Sequence, residues 1–298
     1  AAAVGSSLGL AGCTDRLGGT PTPEPTPEPV EYTNPVFEPI LADPTVVRAD
    51  DGTYYAYGTE DDWQDGEGSR VAPTVRSENL VDWEYVGEAF DEKPDWKDGN
   101  VWAPCVVSTD DGYVMYYALS VWGDENPGIG IASADAPAGP FTDHGEFLRS
   151  DDVGVPNSID PFYYEDDGTP YLFWGSFNGI YGIELSADGR ETVGEKFRVA
   201  GDRFEAASIY RRDGTYYLLV SSGACCNGPL TDYQIEVGRS DSLRGPYVNA
   251  NGDDLASRPG TVVVSGSDEF AGLGHHTFVT DDAGQPWLLY HAYDTDQY

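Results

Sequence analysis

The sequence predicts an all-β protein: a five-bladed β-propeller whose fifth blade is cut short at the C-terminus. Three observations carry that expectation. A tight-turn pattern recurs five times, at Asp51-Gly52, Asp111-Gly112, Asp167-Gly168, Asp213-Gly214 and the looser Asp282-Ala283-Gly284, each flanked by short apolar runs. Asp-Gly between such runs is a strong hairpin signal, because the turn needs positive φ that Gly accepts without steric cost. The turn glycines lie 60, 56, 46 and 70 positions apart, within or somewhat beyond the period of a four-stranded blade. Composition agrees, with 7 Trp, 20 Tyr, 11 Phe, 36 Gly and 21 Pro and no sustained 3.6-residue apolar period that would mark a long helix.

In the first repeat LADPTVV is the inner strand and RSENLVDWEYVGEAF carries the outer pair. The second has VWAPCVV and ASADAPAGPFTDHGEFL, the third SIDPFYY and ELSADGRETVGEKFRV, and the fourth FEAASIY and GRSDSLRGPYVNANGDDL. The fifth has GLGHHTFV and its hairpin, with no outer pair before Tyr298. Eight or nine residues before each turn glycine stand Asp43, Ala103-Pro104, Asp160, Glu205 and His275-His276. The first strand of a blade lines the propeller axis, so three carboxylates and one or two histidines are expected to meet in one funnel.

Ahead of the repeats, residues 1–13, AAAVGSSLGLAGC, are small and apolar and too short to span a membrane. They read as the end of a secretory signal, and Leu10-Ala11-Gly12-Cys13 resembles a lipobox, in which Cys13 would carry a lipid anchor outside the cell. Residues 14–34 contain TPTPEPTPEP, an acidic proline-rich linker expected to be extended. Residues 35–298 then form the propeller, long enough to bury a core without disulfides.

The balance of 16 Lys+Arg against 52 Asp+Glu leaves a net charge of −36, and only Lys93, Lys97 and Lys196 are lysines. Self-repulsion of that size suits a high-salt setting and excludes nucleic acid as a partner, since no basic patch exists to neutralise phosphates. A monomer is expected. Cys105 reads as a small buried core residue; Cys225 and Cys226 are adjacent and either form a disulfide or stay thiols at the funnel rim, with no spacing that suggests a metal.

Asp43 in ADP, Trp102-Ala103-Pro104, Asp160 in NSIDP, Glu205 in EAAS and His275 in GLGHH resemble, in order and spacing, the motifs of glycoside hydrolase family 43. SSGACCNGPLTDYQIEVGRS and DPFYYEDDGTPYLFWGSFNGIYGIEL look most like its endo-1,5-α-L-arabinanases. Two departures are that Ala42 stands where those enzymes usually have His, and that GLGHH replaces Gly-Pro-Gly-His. The resemblance implies an inverting hydrolase of arabinan or arabinoxylan-type chains, with Asp43 as general base, Glu205 as general acid and Asp160 tuning the acid. It also implies that His275 helps hold a central ion, often calcium. An exo-acting arabinofuranosidase, a β-xylosidase and a silent carbohydrate-binding propeller are the alternatives.

The chemistry asks for the same residue types. Inversion needs one carboxylic acid to protonate the leaving oxygen and one carboxylate to activate water on the opposite face of the sugar. Phe204, Ala206 and Ala207 give Glu205 an apolar surround that favours its protonated form. Trp102, Asn157, Ser176 and Phe177 are candidate substrate contacts, while His276 and His291 read as structural strand residues.

Overall fold

Residues 31–296 are described by a computed structural model, in which all but two short turns of regular structure are β-strand. Blade 1 consists of β1 (Thr45–Arg48), β2 (Tyr54–Tyr57), β5 (Pro73–Ser77) and β6 (Glu84–Glu88), with a small hairpin, β3 (Asp61–Asp62) and β4 (Ser69–Arg70), inserted after β2. Blade 2 is β7 (Asn100–Thr109), β8 (Gly112–Ser120), β9 (Gly128–Ala134) and β10 (Thr142–Arg149), followed by the single helical turn α1 (Ser150–Val153). Blade 3 is β11 (Phe162–Asp166), β12 (Thr169–Trp174), β13 (Ile180–Leu185) and β14 (Thr192–Ala200). Blade 4 is β15 (Glu205–Arg212), β16 (Thr215–Ser222), β17 (Gln234–Ser240) and β18 (Thr261–Val264), with a 3-10 turn at Gly228–Leu230. A two-stranded sheet, β19 (Phe270–Thr280) and β20 (Pro286–Asp294), comes last.

The expected count of five blades is corrected by this arrangement: four blades are four-stranded, and the fifth sheet has two strands among the described residues. Its inner strand still completes a ring, since β1 touches β7, β7 touches β11, β11 touches β15, β15 touches β19 and β19 touches β1. The predicted hairpins are present. At Asp167-Gly168 and Asp213-Gly214 both residues have positive φ, 48° and 84°, then 52° and 81°, the geometry of a type I′ turn.

Blade 4 departs from the sequence reading at its edge. The segment 241–260 is irregular, and the outer strand is the later β-branched run TVVV. Gly, Pro, Asn and Asp crowd residues 245–254 and favour turns over strand; Asn249 Oδ1 accepts from the amides of Asn251 and Asp253 to hold one such turn.

Second strands serve two interfaces at once, because successive residues point to opposite faces. Tyr117 faces a core with Tyr57, Met115, Leu119 and Phe141 between blades 1 and 2, while adjacent Tyr116 joins Ile129, Leu172 and Trp174 between blades 2 and 3. Phe173, next to Leu172, packs with Phe204, Leu218 and Tyr247 between blades 3 and 4. These second and third strands are therefore continuous apolar runs, as sheets covered on both faces require. The fifth sheet is joined by stacking of Tyr210 on Phe278, with centroids 5.4 Å apart, and by the Arg48–Asp282 ion pair.

Among the described residues no helix is long and apolar enough to cross a membrane. Cys13, the signal-like segment 1–13 and most of linker 14–34 lie outside the described residues.

Candidate active site

In or just before each inner strand stands one non-glycine residue in the left-handed region, at Asp43 (φ 52°), Ala103 (42°), Asp160 (57°), Ala206 (52°) and His275 (40°). Such a conformation costs on the order of 1–3 kcal/mol per residue and clusters at functional sites. In β7, β15 and β19 it coincides with a register shift, and a bulge there re-aims side chains toward the axis. The following residues, among them Pro44, Pro104, Pro161, Ala207 and His276, line an axial cavity of about 20 Å³, room for about one water. In blade 4 the left-handed residue is Ala206, so Glu205 stands one position before its counterparts.

Asp43 is the most heavily partnered carboxylate. Its Oδ1 lies 3.0 Å from His275 Nδ1 and 3.3 Å from His291 Nδ1, and its Oδ2 accepts from Thr59 Oγ1 at 2.5 Å. Thr59 Oγ1 also accepts from the Ala103 amide at 2.8 Å, tying blade 1 to blade 2. Burial alone would raise the Asp43 carboxyl, but the charge and hydrogen bond of His275, assisted by His291, hold it well below the usual carboxylate range. Burial in turn would lower His275, yet Asp43, then Asp160 and Glu205, push it up to about 9, so the ring is an imidazolium at neutral pH. His291 was expected to be structural; its Nδ1 stands 3.1 Å from the Asp43 amide and it belongs to the site.

The other two carboxylates are perturbed the opposite way. Glu205 is buried and its Oε2 accepts from Ser176 Oγ at 2.7 Å. The buried Tyr233 phenol faces Glu205 and Ser221 without closing a well-formed hydrogen bond to either. Burial raises Glu205; the hydroxyls of Tyr233 and Ser176 pull it back only in part. Asp160, also buried, accepts from the Ala206 amide at 3.3 Å. Burial, partly opposed by His275 and reinforced by Glu205 and Asp43, pushes Asp160 up to about 8. The site thus holds an ionised Asp43 beside an imidazolium, and two buried carboxyls inclined to keep a proton.

The remaining expectations divide. Ser176 reaches Glu205 directly, whereas Asn157 supports it from behind: Asn157 Nδ2 donates to the Ser176 carbonyl, and the Ser176 amide donates to the Asn157 carbonyl. Phe177 is half-exposed beside the site, its amide bonded to the Phe204 carbonyl at 2.8 Å. Trp102 is half-buried against Trp122, with ring centroids 5.6 Å apart. His276 is buried and neutral, pushed down to about 3 by burial, with Nε2 2.8 Å from Ser208 Oγ. Cys105 is a buried free thiol, raised by burial to about 11, and Cys225 is disulfide-bonded to Cys226.

Thr59, Tyr233 and Trp122 were missed by sequence reasoning. Thr59 and Trp122 follow the ends of second strands and Tyr233 precedes a third strand, positions where the repeats share no common spacing.

The donors present are a poor match to a calcium cage. Among the described residues no three His, Cys, Asp or Glu side chains gather as a ready ligand set. His275 already gives Nδ1 to Asp43, and calcium takes six to eight oxygen ligands.

The sequence model of Glycosyl hydrolases family 43 matches residues 32–298. The extracellular endo-α-(1→5)-L-arabinanase 1 of Bacillus subtilis is 31% identical over 272 residues, covering 86% of this chain and 81% of its own. The extracellular exo-α-(1→5)-L-arabinofuranosidase ArbA of Cellvibrio japonicus is 30% identical, covering 85% and 78%. Among solved structures, the Cellvibrio cellulosa α-L-arabinanase complexed with arabinohexaose superposes with TM-score 0.76 at 28% identity, covering 86% of this chain and 88% of that one. With the family model matching residues 32–298 and a relative 31% identical over 86% of the chain, the chain belongs to glycoside hydrolase family 43.

Proposed function

We propose that this chain hydrolyses α-L-arabinofuranosyl linkages of 1,5-arabinan with inversion. The observation that carries the reading is the opposite perturbation of Asp43, held ionised, and Glu205, inclined to stay protonated. Asp43 takes a proton from the attacking water while Glu205 gives one to the departing glycosidic oxygen, the two acting on opposite faces of the sugar. Their strands are not neighbours: β19 stands between β1 and β15 in the ring, which suits the gap an inverting pair needs for water. Asp160 positions the acid by accepting from the Ala206 amide next to Glu205, while the charge of Asp43 adds to burial in raising the proton affinity of Glu205. His275 neutralises Asp43 enough to keep three carboxylates in one funnel, and Ser176 orients the acid.

Relatives described as endo- and exo-acting match at similar identity, so exo release of arabinose is the second reading. Sizing the products from linear 1,5-arabinan separates the two: oligomers mean endo action, and monomer alone means exo. No product in wild type, with sugar binding retained, would sink the enzymatic reading in favour of a binding propeller.

The extracellular relatives support an extracellular site of action. Within the same proposal, residues 1–13 are a signal with a lipid on Cys13, 14–34 a linker, and 35–298 the catalytic domain, in which β19 and β20 are the inner half of a fifth blade. Metabolic labelling with a fatty acid, lost in Cys13→Ser, tests the anchor. The net charge of −36 predicts a melting temperature that rises toward molar NaCl; a flat response refutes salt adaptation. A calcium ion at the axis rests on the resemblance alone and no step above passes through it. A calcium-dependent rise in melting temperature, reversed by EDTA and absent in His275→Ala, would support it.

A further inference from the structure

The large apolar side chains left exposed by the fold are not scattered. Tyr85, Val86, Val193, Val262 and Val263 sit on outermost strands, and Tyr32 precedes blade 1. The other four, Val121, Trp122, Phe177 and Leu230, all lie on loops joining the second and third strands of blades 2, 3 and 4. Those loops open at the end where the inner strands begin, hence around Asp43, Asp160 and Glu205.

The loop of blade 4 is the one tied most closely to the acid. It leaves β16 just after Ser221, which pairs with Glu205 and accepts from the His275 amide at 3.0 Å. It returns through Tyr233, which faces Glu205. Its base is clasped by Asp232 Oδ1, which accepts from the Ala224 amide at 2.8 Å, and by Thr231 Oγ1, which donates to the Ala224 carbonyl. A Cβ at Gly223, where φ is 94°, would meet the Asp232 carbonyl at 2.6 Å, so this close approach needs glycine. Beyond the clasp project the Cys225–Cys226 disulfide, Pro229 and Leu230, the last 91% exposed.

The tip is chemically unlike the rest of the chain. In a protein of net charge −36, residues 221–231 carry no charge. A disulfide between adjacent residues is an apolar surface without hydrogen-bond donors, and its ring removes freedom that contact with a ligand would otherwise cost. Rigid, neutral and apolar is the surface that suits the C–H face of an uncharged sugar.

We propose that the Cys225–Cys226 disulfide and Leu230 form a platform that holds an arabinofuranose unit beyond the bond being cut, setting chain-length preference. Because the loop borders Glu205, which protonates the leaving oxygen, the unit held belongs to the leaving portion of the chain. This rests on the arabinan reading above.

The test compares wild type with Leu230→Ala and with Cys225→Ser/Cys226→Ser on aryl α-L-arabinofuranoside and on linear 1,5-arabino-oligosaccharides of increasing length. Expected is a roughly tenfold loss of kcat/KM on long oligosaccharides, about 1.4 kcal/mol, expressed mainly in KM, with the aryl glycoside unchanged within about twofold. Leu230 is too exposed for its truncation to unfold the blade, so that variant stays informative if the double serine variant does not fold. Equal loss on every substrate, or no loss on any, overturns the platform. Wild type that cleaves the aryl glycoside but no arabino-oligosaccharide overturns the substrate reading itself.

Discussion

Replacing Ser176 by Ala removes the hydroxyl that donates to Glu205 Oε2 at 2.7 Å, with both groups buried. A hydrogen bond to a charged group is worth about 1.5–3 kcal/mol, and the short distance and burial place this one near the middle, about 2 kcal/mol. It favours the ionised form, so it works against the burial that raises Glu205. Its loss lets the acid hold its proton to higher pH. The assay is the pH dependence of kcat/KM on 1,5-arabino-oligosaccharides. The alkaline limb, a property of the coupled Glu205 and Asp160 pair, should move to higher pH, while the plateau falls because the acid is less well oriented. An alkaline limb that stays in place or moves to lower pH refutes the reasoning and returns Ser176 to a direct contact with sugar.

Glu205→Gln and Asp43→Asn should each lose about 10²–10⁴-fold in kcat, and Glu205→Gln should recover part of it on aryl glycosides, whose leaving groups need little protonation; steady-state kinetics on both substrates checks this. His291→Gln weakens the hold on Asp43, so the acidic limb of the kcat/KM profile should shift upward, and an unmoved limb would leave His291 structural. Asp160 keeps its proton to about pH 8 when folded but to about 4 when unfolded, so between those values the folded state binds more protons and stability falls as pH rises. Asp160→Asn removes that loss and should melt higher than wild type at pH 8–9, by about 2–4 °C per kcal/mol recovered, while losing activity. A pH series of calorimetric scans reads the difference.

Much of the ring was legible because Asp-Gly turns leave an unambiguous trace and their spacing sets a frame in which Asp43, Ala103, Asp160 and His275 fall at one place. The frame slips at Glu205, since the bulge of β15 puts Ala206 in the left-handed position. The supporting groups were hidden for a physical reason. Thr59, Ser176, Tyr233 and His291 reach the carboxylates from second strands and loops whose lengths differ between blades, so no period connects them. Ser176 reads from sequence as a sugar contact and His291 as a structural strand residue; each touches a carboxylate. The outer strand of blade 4 differs from the sequence reading because the twenty residues 241–260 after β17 form a folded excursion, held by buried Tyr247 and the Asn249 turn, before TVVV.

The most direct test of the central claim is proton NMR of the first products released from linear 1,5-arabinan, read before mutarotation. Water activated by Asp43 opposite Glu205 predicts products that appear first as the β-anomer, and no signal from Glu205→Gln under the same conditions. Products that appear first as the α-anomer would mean a covalent intermediate and contradict the assignment of Asp43 as a base.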